Sequence, residues 1–96
     1  MHVILWRFRA RPGSEAAFEA TYGDDGDWSS LFRIGEGYLG TVLLQATDGM
    51  YLTIDRWTSK AAYTTFGAAH AAEYAGIDNR YAGLAAEEAL LCALNV

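Results

Sequence analysis

A short helical signature occurs twice in the chain, 45 positions apart. Ser14-Glu15-Ala16-Ala17-Phe18 returns as Ser59-Lys60-Ala61-Ala62-Tyr63. Each copy follows an apolar, strand-like run, Val3 to Phe8 and Tyr51 to Trp57. Each precedes an aromatic-Gly pair, Tyr22-Gly23 and Phe66-Gly67. A strand feeding a helix, twice within 96 residues, predicts a split βαβ arrangement.

That length predicts a single domain over 1–96. A chain this short buries only roughly 60–65% of its unfolded surface. Its hydrophobic content is 52%, so an apolar surface is expected to remain after the monomer folds, and such a surface marks an interface. The net charge is −5, and seven Lys and Arg cannot neutralise many phosphates. Nucleic acid and an anionic membrane surface are therefore not expected partners. No apolar run reaches bilayer length, and the N-terminus lacks the basic-then-apolar layout of a signal peptide. The expected location is the cytoplasm. The single cysteine, Cys92, lies in an apolar stretch and reads as a buried thiol.

The first strand runs from His2 to Arg9. Ile4, Trp6 and Phe8 point one way, and Val3, Leu5 and Arg7 the other. Ser14 suits the N-cap of a helix to Tyr22, and Asp27 the cap of a shorter one over Trp28 to Ile34, stopped by Gly35 and Gly37. Tyr38 to Ala46 is the second strand, and Asp48-Gly49 signals a hairpin to the third, Met50 to Trp57. Tyr51, Thr53, Asp55 and Trp57 share one face of it. Thr58 or Ser59 caps a long helix, expected to end near Gly76, with Tyr63, Phe66, His70 and Tyr74 as its stripe. Glu87 to Val96 supplies the last strand.

These elements predict an α+β, ferredoxin-like split βαβ fold with a four-stranded antiparallel sheet. The helices cover one sheet face, taken to be the Trp6/Phe8 side because large aromatics suit the gap beneath a helix. Val3, Leu5, Leu52 and Ile54 then lie on an open face too apolar for water. Two such faces packed together predict a homodimer around a barrel-like core, a dimeric α/β barrel.

With Phe18-x-x-x-Tyr22, Gly37-Tyr38-x-Gly40-Thr41 and Asp55-Arg56-Trp57-x-Ser59 in this order, the chain resembles the antibiotic biosynthesis monooxygenase family over nearly its whole length. The resemblance implies a pocket between sheet and helices in each subunit. Members of that family differ widely in function: some oxygenate aromatic polyketides with dioxygen and no added cofactor, and others degrade haem. Haem-degrading members use an Asn on the first strand, then a Trp and a His on the second long helix. Here Trp6 stands at the Asn position, Phe66 at the Trp position and Gly76 near the His position. His70 lies on the right helix but about a turn and a half early. The chain departs from the haem-degrading pattern at every place, and the oxygenase reading loses the same Asn.

The aromatic residues Trp6, Phe8, Trp28, Phe32, Trp57, Tyr63, Phe66 and Tyr74 are candidates for lining a pocket, or for core. Buried Trp and Tyr need partners for their N–H and O–H groups, and a ligand supplies one. His70 is a candidate acid or base, or a helix histidine bonded to its surroundings. Asp55 is a candidate base, or one half of an ion pair with Arg7, Arg33 or Arg56. Asp24-Asp25-Gly26-Asp27 fails the calcium-loop spacing, and no Cys/His set suits zinc. No phosphate-binding Gly-rich loop follows a strand. The expectation is a cofactor-free monooxygenase-like enzyme for a small phenolic or quinol substrate, with His70 or Asp55 as base. The alternative is a non-catalytic small-ligand-binding or structural, stress-related dimer.

Overall fold

The structure is a computed structural model and describes residues 1–96. Along the chain it has β1 (His2–Ala10), α1 (Glu15–Tyr22), α2 (Asp27–Phe32), β2 (Tyr38–Gln45), β3 (Tyr51–Trp57), α3 (Lys60–Ala69), α4 (Ala71–Arg80) and β4 (Ala85–Asn95). The sheet order is β2-β3-β1-β4, with every neighbouring pair antiparallel. β3 sits between β1 and β2, which makes the first βαβ unit split.

Side-chain alternation sets the layers. Across β1 and β3, Ile4 pairs with Asp55, Trp6 with Thr53 and Phe8 with Tyr51. This row faces the helices. One core cluster joins Ile4 and Trp57 to Trp28, Leu31, Phe32 and Phe66. A second joins Phe8 and Tyr51 to Phe18, whose ring stacks 4.4 Å from Tyr22. The Trp6/Phe8 side is thus the covered face, as the aromatics imply.

The opposite face has no covering layer. Val42 and Leu44 on β2 pair with Ile54 and Leu52 on β3, and Val3 and Leu5 on β1 pair with Leu94 and Cys92 on β4. Val42, Leu44 and Leu94 are 40%, 46% and 48% exposed. Cys92 is half-buried here, not enclosed, because it stands on the edge strand of this bare face.

Three local expectations are corrected. The helix after β3 does not run unbroken to Gly76. It breaks at His70, whose φ −121° and ψ 28° leave the helical region, and α4 then continues through Gly76 to Arg80. A Cβ at Gly76 would meet nothing within 4 Å, so this exposed glycine costs the helix only roughly 1 kcal/mol and does not stop it. Asp27 is not the α2 cap: Gly26 takes that position, and the Asp27 carboxylate accepts from the Tyr81 hydroxyl and pairs with Arg80. Ser14 occupies the α1 cap position without a side-chain bond, and Glu15 instead accepts from the Gly13 N–H at 3.2 Å. Ser59 does cap α3, accepting from the Ala62 N–H at 3.0 Å.

The turn before β2 seats one end of the core. A Cβ on Gly35 would lie 2.6 Å from the Phe66 ring and 3.1 Å from the Trp57 ring. Gly37 has a φ of +92°, and its carbonyl accepts from the Thr58 N–H at 2.7 Å. Gly35→Ala is expected to cost about 1–3 kcal/mol by overpacking. Gly67→Ala, inside α3 with open space around its Cβ, is expected to add roughly 0.5–1 kcal/mol. Urea unfolding of the two variants checks both signs.

Candidate functional site

A cavity of about 220 Å³ lies between the sheet and the helices on the covered face. Trp6 and Phe8 of β1, Tyr22 of α1, and Trp28 and Phe32 of α2 form much of its wall. Thr41 of β2, Thr53 and Asp55 of β3, Tyr74 and Asp78 of α4, and Glu88 of β4 complete it. The cavity lies between the two aromatic clusters, and β4 and α4 close over it with few large side chains apart from Tyr74.

Asp55 is the buried charge of this site, only 9% exposed. Strand alternation turns it inward with Thr53 and Trp57. Thr41 stands opposite it in the β2–β3 register, and its hydroxyl donates to Asp55 Oδ1 at 2.7 Å. That proton being committed, the Tyr38 hydroxyl donates to Thr41 Oγ1, 2.5 Å away. Ser29 Oγ is 3.5 Å from the Tyr38 hydroxyl, beyond an ordinary hydrogen bond, and donates to the Gly23 carbonyl at 3.2 Å.

The ion pair anticipated for Asp55 is absent. Arg7 and Arg56 lie on the opposite sheet face, and Arg33 is held by Asp24 at 3.1 Å. Burial without a cation pushes the Asp55 carboxyl up to about 6, against the smaller opposing effect of the Thr41 bond. Tyr74 is pushed up to about 12, first by burial and then by neighbouring groups that include Tyr63, Asp78, Asp55 and Glu88. Tyr22 is raised too, chiefly by burial. The Trp28 indole N–H is near enough to oppose that rise, but it closes no hydrogen bond of ordinary geometry with any group.

The structure brings Asp55 together with Trp6, Phe8, Trp28, Phe32 and Tyr74. It does not bring His70 to them. The His70 ring stacks on Phe66 at 4.8 Å, its Nδ1 is 3.9 Å from Glu73, and it borders a separate depression beside Gly35 and Gly37. The helix break at His70 turns the expected stripe aside there. Trp57 is fully buried among Phe32, Tyr38, Tyr63 and Phe66. Phe66 is core, and Tyr63 borders a third depression near His2.

Sequence reasoning missed Thr41, Thr53, Tyr22, Asp78 and Glu88. Thr41 was within reach, since counting outward from the Asp48-Gly49 turn sets it opposite Asp55. Asp78 lies one helical turn beyond Tyr74, on the same face. Glu88 reaches the site only through the pairing of β4 with Phe8, and no local signal carries that. No three His, Cys, Asp or Glu side chains gather closely enough to hold a metal ion. No helix is long and apolar enough to cross a membrane.

No protein-family model matches the chain, and no curated protein matches it in sequence. Solved structures do match in fold. A Deinococcus radiodurans protein, provisionally named an antibiotic biosynthesis monooxygenase, is 14% identical with a TM-score of 0.76, covering 100% of this chain and 92% of that one. SnoaB, a cofactor-independent oxygenase from Streptomyces nogalater, is 20% identical with a TM-score of 0.64, covering 99% and 94%. A point mutant of MhuD, with two manganese protoporphyrin IX bound per active site, is 21% identical with a TM-score of 0.74, covering 100% and 94%. At these identities the likeness is one of fold, and the fold is that of the antibiotic biosynthesis monooxygenases.

The raised Asp55 has a signed consequence for stability. Its folded pKa of about 6 lies above the ordinary 3.8, so the folded state holds the proton more tightly than the unfolded chain. The contribution is full below about pH 4, falls as pH rises toward 6, and stays lost above. About two pH units correspond to on the order of 3 kcal/mol. Unfolding free energies across pH 4 to 7 should fall for the wild type relative to Asp55→Asn, with the variant the more stable at pH 7.

Proposed function

We propose that the protein is a cofactor-independent monooxygenase-like enzyme acting on a small phenolic or quinol substrate, with Asp55 as the base. The observation that carries this reading is a carboxyl of raised pKa set in the wall of an aromatic cavity with no cation to neutralise it. A carboxylate stripped of water is a stronger base than one on the surface. The cavity suits a planar ring between Trp6, Phe8, Phe32 and Tyr74, with a substrate hydroxyl directed at Asp55.

The chemistry follows from that proton. A phenolate gives an electron to dioxygen far more readily than a phenol does. The substrate supplies all four electrons: two accompany insertion of one oxygen atom into the ring system, and two, with two hydrogens from the substrate, reduce the other oxygen atom to water. Thr41 is the positioning residue. Its hydroxyl holds Asp55 Oδ1, and Tyr38 holds Thr41, which leaves Asp55 Oδ2 for the substrate proton. SnoaB shows that this fold supports oxygenation without a cofactor. His70 takes no part, because it borders a different depression.

A second reading is favoured by one observation. No Lys, Arg or His borders the cavity to stabilise a phenolate, so the same site serves as a non-catalytic binding site for a small aromatic ligand. Oxygen uptake separates the two. With hydroquinones and other single-ring phenols, and no flavin, metal or haem added, uptake above the protein-free rate is expected. It should survive His70→Ala and fall by about 100-fold or more in Asp55→Asn. A flat trace in the wild type, with ligand-dependent tryptophan fluorescence, sinks the enzyme and leaves the binder.

The working unit in this proposal is a homodimer formed through the open sheet face. What supports it is the continuous apolar area of Leu5, Val42, Leu44, Leu52, Ile54 and Leu94, which a single chain leaves to water. Light scattering should give twice the chain mass of 10.5 kDa. Ile54→Arg, at the centre of that face, should give a monomer with its helical circular dichroism intact.

A further inference from the structure

Every ionisable group on the cavity wall is a carboxyl or a phenol. Asp55 lies deep in it, while Asp78 of α4 and Glu88 of β4 are exposed at its rim. A second depression alongside shares Tyr22, Asp78 and Glu88, and no basic residue lines it.

The seven basic side chains are all engaged or placed elsewhere. Arg9 pairs with Glu87 at 3.3 Å, Arg33 with Asp24 at 3.1 Å and Arg80 with Asp27 at 3.6 Å. Arg11 donates to the Gly83 carbonyl at 2.7 Å. Arg7 and Arg56 lie on the open sheet face, and Lys60 borders the depression near His2. The cavity is left with a negative field and no internal counter-charge. Tyr74 registers that field, its hydroxyl held neutral partly by Asp78, Asp55 and Glu88.

The walls add to this. Trp6, Tyr22, Trp28 and Tyr74 present aromatic rings, whose negative faces attract a cation. The carboxylates are too dispersed to converge on a metal ion. A cation that satisfies them therefore has to be an extended organic one. Independently, Asp55, only 9% exposed, spends Oδ1 on the Thr41 hydroxyl and has no protein partner for Oδ2. A ligand that completes the site brings a hydrogen-bond donor for Asp55 and a positive charge for the rim.

We propose that the cavity selects a phenolic amine, one aromatic ring with a hydroxyl at one end and a short chain to a protonated amine at the other. The hydroxyl donates to Asp55, and the ammonium lies at the rim between Asp78 and Glu88. This rests on the phenol-site reading above and adds the charge. A cavity of about 220 Å³ has room for a single ring with a short chain and is smaller than usual drug-sized sites. The same field rejects aromatic acids.

Four probes of one shape test the proposal by calorimetry and tryptophan fluorescence on the full chain at low salt: tyramine, 4-ethylphenol, 3-(4-hydroxyphenyl)propionate and 2-phenylethylamine. Tyramine is expected to bind about tenfold tighter than 4-ethylphenol, with the propionate weakest. The tyramine-to-ethylphenol ratio should shrink to about twofold in the Asp78→Asn/Glu88→Gln double variant, and likewise in high salt. Equal binding of 4-ethylphenol and tyramine, or a ratio unmoved by the double variant, overturns the charge selection and leaves the phenol reading standing. Tyramine and 2-phenylethylamine binding alike would sink the phenol reading and keep the cation site. Binding of none of the four overturns the inference, and oxygen uptake with hydroquinones then judges the phenol reading separately.

Discussion

The packing of Trp57 is the contact on which the rest of the molecule depends. It closes β3, is fully buried, and touches α2 through Phe32, the start of β2 through Tyr38, and α3 through Tyr63 and Phe66. Four elements therefore share one side chain. Gly35 is required beside it because any Cβ there meets the Phe66 and Trp57 rings. The Trp57 indole N–H has no partner, so the residue contributes here through apolar contact and not through hydrogen bonding.

Filling that end of the sheet-to-helix gap leaves the other end open. The second aromatic group, Phe8, Phe18 and Tyr51, holds α1 against β1 and β3. Tyr51 is tied to α1 again by its hydroxyl, which donates to Glu19 at 2.6 Å. Between the two groups, Trp6, Trp28 and Tyr74 stand around space that no side chain occupies. A cavity of this kind costs dispersion contacts, and a chain of this size has little stability to spare. Its retention together with a buried carboxyl is the reason to read it as a site.

Asp55 sharpens that reading. A buried carboxyl without a cation destabilises the fold near neutral pH, and Thr41 offsets only part of the cost. Strain held at one polar group in a cavity wall is characteristic of functional positions. The surrounding acids make the site more negative still, which sets it apart from pockets built to hold an anion.

Much of the fold was legible locally. The alternation of Ile4, Trp6 and Phe8 against Val3 and Leu5, the Asp48-Gly49 turn and the Ser59 cap depend on near neighbours only, and they specified strands, hairpin, helix start and which residues share a sheet face. Asp55, Trp6 and Phe8 were legible for the same reason, because a two-residue period groups strand side chains by face, whereas Trp28, Phe32 and Tyr74 were read from helical spacing. The tertiary structure decided what depends on distant parts of the chain. The helix break at His70 took the one internal histidine away from the cavity and carried α4 past Gly76, bringing Asp78 to the rim. The pairing of β4 with β1 brought Glu88 beside Phe8, and the two-sided sheet kept Arg7 and Arg56 away from Asp55. Whether a buried acid finds a cation or a cavity is set by which elements close over it, and no local period encodes that.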